Sequence, residues 1–126
     1  MKLHAERATH LNTVTGYGPG YIEINGARHG GHLILAAEFV QPWSVTRFEL
    51  LRPEDLAPAL ELEPEVVLLG TGERHRLADP RLTAYLARTG IALEPMSTAA
   101  ACRTYNILMS DGRRVAALLL QEETDR

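Results

Sequence analysis

The stretch "STAAACRTYNILMSDGR" groups side chains that could carry out chemistry. It places Cys102, the single cysteine of the 126 residues, next to three polar side chains: Arg103, Tyr105 and Asn106. A thiolate is a nucleophile, and arginine or asparagine can serve an oxyanion. Catalysis also needs a base, and no histidine lies within ten residues of Cys102, although His75 could approach through folding. We therefore predict that Cys102 is a small buried residue among alanines and that no residue here is catalytic.

Arg103 and Asn106 allow two interpretations. They lie three residues apart, so on a helix their side chains converge on one surface. Asparagine is a poor mid-helix residue unless its amide has partners. Either both side chains make structural hydrogen bonds, with Arg103 pairing Glu73 or Glu94, or they face a ligand or a partner protein.

A second segment, "GTGERHRLADP", follows an apolar strand and begins with Gly70-Thr71-Gly72. Glycines in such a turn can offer backbone N–H groups to an anion, and ligands collect at the carboxyl ends of strands in open α/β sheets. The segment would suggest dinucleotide binding if Glu94 served as the carboxylate that binds the ribose. The dinucleotide motif, however, has a third glycine and leads directly into a helix, and this segment does neither. A P-loop is excluded because no Gly-Lys-Ser/Thr follows.

These two segments together give a hypothetical cleft for a ligand or partner. It consists of Gly70, Thr71, Gly72, Arg103, Tyr105 and Asn106.

Metals and cofactors have weaker support. His29 and His32 of "HGGH" could share a metal ion, but no Cys/His cluster supplies further ligands. We predict a polar turn there, no zinc or iron, and no cofactor.

The elements that position these residues form a layered α/β pattern. In the N-terminal half, Asn25-Gly26 predicts a hairpin turn and Leu33 to Ala37 a buried strand. "RPEDLAPALEL" predicts a short helix, with Pro53 in its first turn and Pro58 limiting its length.

The C-terminal half reads β-α-β-α-β. The strands are "EVVLLG", "IALEP" and "RRVAALLL"; the first two should be parallel, and the last could run either way. One helix should start after Asp79 and stop at Gly90, and the next should be capped by Ser97 or Thr98 and reach about Met109.

Composition narrows the class of protein. The net charge of −3 gives no basic footprint for nucleic acid, and one cysteine cannot form an internal disulfide. No apolar run suits a signal peptide or a membrane span. We expect a cytoplasmic protein without direct membrane insertion, forming one domain over 1–126, with an N-terminal segment 1–15 and a disordered tail 121–126.

The motifs also resemble those of a known family. Gly70-Thr71-Gly72, "GI.LE.M.T", and "AACRTYN" followed by Asp111-Gly112-Arg113 match it, and "GYGPGYIEINGARHGGHLIL" fits its opening β segment. This small domain-of-unknown-function family includes the mitochondrial complex I assembly factor 3 proteins and short bacterial proteins. The resemblance implies a compact three-layer α/β fold: a central mixed sheet, helices packed on it and an N-terminal β-hairpin region. It also implies a non-enzymatic interaction or assembly role with a protein partner, related to the assembly of respiratory complexes or membrane proteins. The rival interpretation is a small-molecule or anion-binding domain, conceivably an enzyme, that uses the cleft.

Overall fold

The computed structural model describes residues 11–121, which form two β-sheets, two 3₁₀ turns and three α-helices. The strands are β1 (Val14–Gly18), β2 (Tyr21–Ile24), β3 (Ala27–Gly30), β4 (Leu33–Ala36), β5 (Phe39–Pro42), β6 (Val66–Gly70), β7 (Ala92–Met96) and β8 (Val115–Leu119). The helices are α1 (Ala57–Leu60), α2 (Pro80–Ala87) and α3 (Thr98–Ser110), and the 3₁₀ turns are Phe48–Leu50 and Pro53–Leu56.

A mixed five-stranded sheet forms the centre, in the order β5-β4-β8-β6-β7. β6 pairs in parallel with β7, as predicted for two strands joined by a helix, and also with β8. β4 runs antiparallel to β5 and to β8. The final strand, whose direction the sequence left open, is therefore the junction between the parallel and antiparallel halves.

Two cores lie on opposite faces of this sheet. In β8, Val115, Ala117 and Leu119 face one core, and Ala116 and Leu118 face the other. The first core includes α3 and the small N-terminal sheet, and the second includes α1, α2 and the segment containing Trp43. This arrangement confirms the predicted three layers.

The N-terminal sheet is an antiparallel meander of β1, β2 and β3. Its second turn is the predicted Asn25-Gly26 hairpin, and both residues have positive φ, 50° and 88°, as a type I′ turn requires. Its first turn is Pro19-Gly20, where Gly20 has φ 80°. This meander lies against α3 and supplies one wall of the site described below.

Local signals placed most element ends correctly. Asp79 caps α2 by accepting from the amide of Arg81 at 2.9 Å. The proline-rich segment is a 3₁₀ turn that passes into the single-turn α1, consistent with the expected short helix. The predictions for residues 1–10 and 122–126 lie outside the described residues.

Candidate functional site

The start of α3 is joined to the carboxyl ends of β6 and β8. Ser97 is the N-cap and accepts a hydrogen bond from the amide of Ala100 at 3.2 Å. The Thr98 hydroxyl accepts from the amide of Gly72 at 2.9 Å and donates to the carbonyl of Leu120 at 2.6 Å. The Thr98 amide donates to the Gly72 carbonyl at 2.8 Å. One threonine therefore fastens both strand ends to the helix.

This close approach explains the first glycine of the Gly70-Thr71-Gly72 turn. A Cβ on Gly70 would lie 2.9 Å from Oγ1 of Thr98. Thr71 is 1% exposed, and its hydroxyl contacts the carbonyls of Arg74 and Met96. Gly72 has φ 105°, a backbone conformation that favours glycine. Gly70 therefore allows α3 to approach closely, and the Thr71 hydroxyl holds the loop together.

A cavity of about 390 Å³ opens beside this turn. It lies between the first hairpin of the N-terminal sheet, the start of α3 and the ends of β6 and β8. Its lining residues are Tyr17, Gly18, Pro19, Gly20, Ile22, Gly72, Glu73, Thr98, Ala99, Leu120 and Gln121. We call it the hairpin cavity.

Arg103 lies next to the hairpin cavity through Tyr17. Its Nη1 donates to the hydroxyl of Tyr17 at 2.9 Å, and both side chains are exposed. Within residues 11–121 Arg103 forms no ion pair with Glu73 or Glu94. The partner of its guanidinium is the Tyr17 hydroxyl and not one of the carboxylates predicted from the sequence.

Asn106 and Tyr105 bind the N-terminal chain and do not line the cavity. The Asn106 side chain accepts from the amide of Val14 at 2.9 Å and donates to the carbonyl of Val14 at 2.8 Å. Tyr105 is fully buried and donates from its hydroxyl to the carbonyl of Asn12 at 2.7 Å. Burial raises the pKa of Tyr105. Both residues fasten α3 to the N-terminal chain.

Cys102 is buried, as predicted. Burial raises the pKa of its thiol to about 12, and the neighbouring Arg103 opposes this shift only in part. A thiol that stays protonated at neutral pH is a poor nucleophile. His75, the one distant base considered, lies in an exposed position of the loop after β6.

His32 of the "HGGH" segment bonds to the residues that follow β5 and β8. Nδ1 of His32 accepts from the amide of Gln121 at 2.9 Å, and its Nε2 lies 3.0 Å from the carbonyl of Thr46. Across residues 11–121, no group of three or more His, Cys, Asp or Glu side chains could hold a metal ion. That the purified protein contains no metal stays a prediction.

The sequence did not single out Tyr17 as a site residue. The stretch "GYGPGY" indicated a strand, but nothing local showed that its tyrosine meets an arginine 86 positions away. The one local feature that could have pointed to Tyr17 is its position as an aromatic residue in a glycine-rich hairpin.

A second cavity, of about 490 Å³, was also missed; it lies at the other end of α3. Its lining is mainly apolar, and Arg113, which also lines it, pairs with Glu65 at 2.6 Å.

In the part of the chain described, no helix has the length and apolar character needed to cross a membrane.

Comparison with known proteins identifies the family. The chain is 43% identical over 109 residues to an uncharacterised protein of Rhodobacter capsulatus, covering 85% of this chain and 82% of that protein. It is 31% identical over 121 residues to the NADH dehydrogenase (ubiquinone) 1 alpha subcomplex assembly factor 3 of Xenopus tropicalis, covering 94% of this chain and 66% of that protein.

The fold is also shared with a solved structure. The crystal structure of a Bordetella parapertussis protein matches with a TM-score of 0.85 and 46% identity, covering 91% of this chain and 99% of that one. The model of a protein family of unknown function, DUF498/DUF598, matches residues 14–120 of this chain. These matches confirm the resemblance inferred from the sequence motifs, and the chain belongs to the DUF498/DUF598 family.

Proposed function

We propose that this chain is a non-enzymatic interaction protein that takes part in the assembly of a respiratory complex, the NADH dehydrogenase. The assembly factor of Xenopus tropicalis aligns with 94% of this chain, a span that must include most of both sheets and helices. This chain spans only 66% of that relative, so a shared role is our proposal.

One structural observation carries the interaction role: the exposed Tyr17–Arg103 pair. Tyrosine and arginine are, together with tryptophan, the residue types enriched at binding hot spots. Tyr17 is 42% exposed, and the hydrogen bond from Arg103 holds its hydroxyl in place. Ile107, one helical turn beyond Arg103, is 60% exposed. Tyr17, Arg103 and Ile107 thus make a fixed surface with aromatic, cationic and apolar parts, which we call the Tyr17 surface.

The position of the hairpin cavity favours a second candidate function, the binding of a small molecule or anion. The cavity lies outside the carboxyl ends of two adjacent parallel strands, where α/β sheets commonly bind ligands. Of the six cleft residues proposed from the sequence, Gly72 lines this cavity and Arg103 reaches it through Tyr17. An enzyme would need a catalytic group here, and Glu73 is the single carboxylate among the lining residues.

Deleting the gene in the native host tests the assembly role. Native gels stained for NADH dehydrogenase activity would measure the assembled enzyme in the deletion strain and in a strain that again carries the wild-type chain. We expect less assembled enzyme after deletion and recovery on complementation. Unchanged assembly would contradict the proposal. The cytoplasmic location, the protein partner and the lack of a nucleic-acid partner stay predictions.

A further inference from the structure

The imidazole ring of His32, in the connection between β3 and β4, joins two other segments of the chain. Its Nδ1 accepts a hydrogen bond from the amide of Gln121 at 2.9 Å, just after the end of β8. Its Nε2 lies 3.0 Å from the carbonyl oxygen of Thr46, in the segment after β5. The backbone carbonyl of His32 also accepts from the amide of Trp43 at 2.9 Å. Contacts at both nitrogens and at the backbone therefore hold the ring in one orientation.

The partners of the two ring nitrogens fix the protonation state of His32. A backbone amide can only donate, so Nδ1 must offer its lone pair to Gln121. A carbonyl oxygen can only accept, so Nε2 must carry the hydrogen that faces Thr46. The folded chain therefore holds His32 as the neutral imidazole with its hydrogen on Nε2.

A second proton on this ring would bind at Nδ1, the nitrogen that accepts from Gln121. It would take up the lone pair, and the new N–H would face the N–H of the Gln121 amide. The contact with Thr46 would remain, because the protonated ring still carries the hydrogen on Nε2. Histidine side chains gain this proton between about pH 8 and about pH 5. Protonation therefore breaks one of the two ring contacts and keeps the other.

The charged surroundings of His32 do not replace the lost bond. The titratable or charged side chains on β3, on the segment after β5 and on the loop beside Gln121 are Arg28, His29, Arg47 and Glu73. Within residues 11–121 the His32 ring takes part in no ion pair. Glu122 and Glu123 follow Gln121 in the sequence, and their placement lies outside the described residues. A carboxylate at those positions would favour proton uptake by the ring.

The bond to His32 is the contact that holds Gln121. Among residues 11–121 the side chain of Gln121 makes no hydrogen bond, and its buried Nε2 has no partner. The preceding residue, Leu120, is held independently: its amide donates to the carbonyl of Gly70 at 3.0 Å, and its carbonyl accepts from Thr98 at 2.6 Å. Gln121 also lines the hairpin cavity. Loss of the His32 bond would therefore free a wall residue of this cavity and leave β8 in place.

We propose that His32 is a pH-sensitive latch for the chain that follows β8. The neutral ring holds Gln121 against the connection between β3 and β4. When the ring gains a proton, Gln121 is released, and the hairpin cavity opens on that side. The segment after β5 stays bound through Nε2. The latch does not depend on the proposed assembly role.

NMR of the isotope-labelled full chain between about pH 8 and about pH 5 tests the latch. Long-range ¹H–¹⁵N spectra identify the ring nitrogen that carries hydrogen, and we expect Nε2 at the upper pH. Solvent exchange of the Gln121 amide, relative to an unstructured peptide at the same pH, gives its protection. This protection should fall about fivefold as His32 gains its proton, while that of Leu120 should change less than about twofold. Hydrogen on Nδ1 at the upper pH, or Gln121 protection that does not follow the ring titration, would overturn the inference.

His32→Asn provides a latch that cannot titrate. The side-chain oxygen of asparagine can replace Nδ1 as the acceptor, and it does not gain a proton in this pH range. Protection of Gln121 should then be equal at both ends of the range. His75→Asn is the matched control, because His75 is an exposed histidine in the loop after β6; it should keep the wild-type fall.

The same fall in His32→Asn as in the wild type would assign the pH dependence to another group and overturn the latch. If His32→Asn does not fold, or does not protect Gln121 at all, the wild-type titration decides. Equal midpoints for the His32 ring and the Gln121 amide then support the latch, and different midpoints overturn it.

Discussion

Replacing Asn106 with leucine tests how the N-terminal sheet is fastened to α3. Leucine keeps a similar volume but removes both hydrogen bonds to the backbone of Val14, at 2.9 and 2.8 Å. Val14 is 8% exposed, so water replaces these partners poorly. A hydrogen bond of this kind contributes about 0.5–1.5 kcal/mol net. We therefore expect the free energy of unfolding to fall by about 2 kcal/mol.

Urea denaturation would measure this loss. With an m-value of about 2 kcal/mol/M, the midpoint should fall by about 1 M. Ser110→Ala is the control, because Ser110 is an exposed residue of the same helix whose hydroxyl bonds only to the carbonyl of Ile107; its effect should stay within about 0.5 kcal/mol. If Asn106→Leu lowers stability no more than Ser110→Ala, Asn106 does not fasten the sheet, and the reasoning fails.

Three further predictions concern the packing of α3. Cys102→Ala should lower the free energy of unfolding by about 1–2 kcal/mol, because it removes part of a buried side chain. Modification of native Cys102 by a thiol reagent within seconds at neutral pH would contradict its burial. Because burial raises the pKa of the Cys102 thiol to about 12, the unfolded chain loses this proton first. Stability should thus fall as pH rises above about 9, and the fall should be shallower in Cys102→Ala; equal slopes would contradict the shift. Gly70→Ala, whose Cβ would lie 2.9 Å from Thr98 Oγ1, should lower stability by about 1–3 kcal/mol in thermal melts, whereas Gly30→Ala, with 3.6 Å to its nearest neighbour, should have a smaller effect.

The secondary structure could be predicted because its signals are local. A fully apolar run indicated β6, Asn25-Gly26 fixed a hairpin, and Asp79 and Ser97 marked helix starts. Each depends on neighbours within a few residues. The parallel pairing of β6 and β7 followed from the helix between them.

The candidate site was harder to predict because its contacts are long-range. The spacing of Arg103 and Asn106 predicted that they converge, and both do contact β1, at Tyr17 and Val14 respectively. The sequence did not show which partner each would find, since that depends on how the N-terminal sheet packs over α3. Burial also decides whether a residue can meet a ligand, and Thr71, which the sequence placed in the cleft, is 1% exposed.

Complementation of the deletion strain tests the central claim most directly. The measurement is the amount of assembled NADH dehydrogenase when the strain carries either the double variant Tyr17→Ala/Arg103→Met or the control Arg88→Met, at equal protein levels. We predict that the control restores assembly and the double variant does not, because only the latter loses the Tyr17 surface. Full restoration by the double variant would contradict the claim that this surface carries the function.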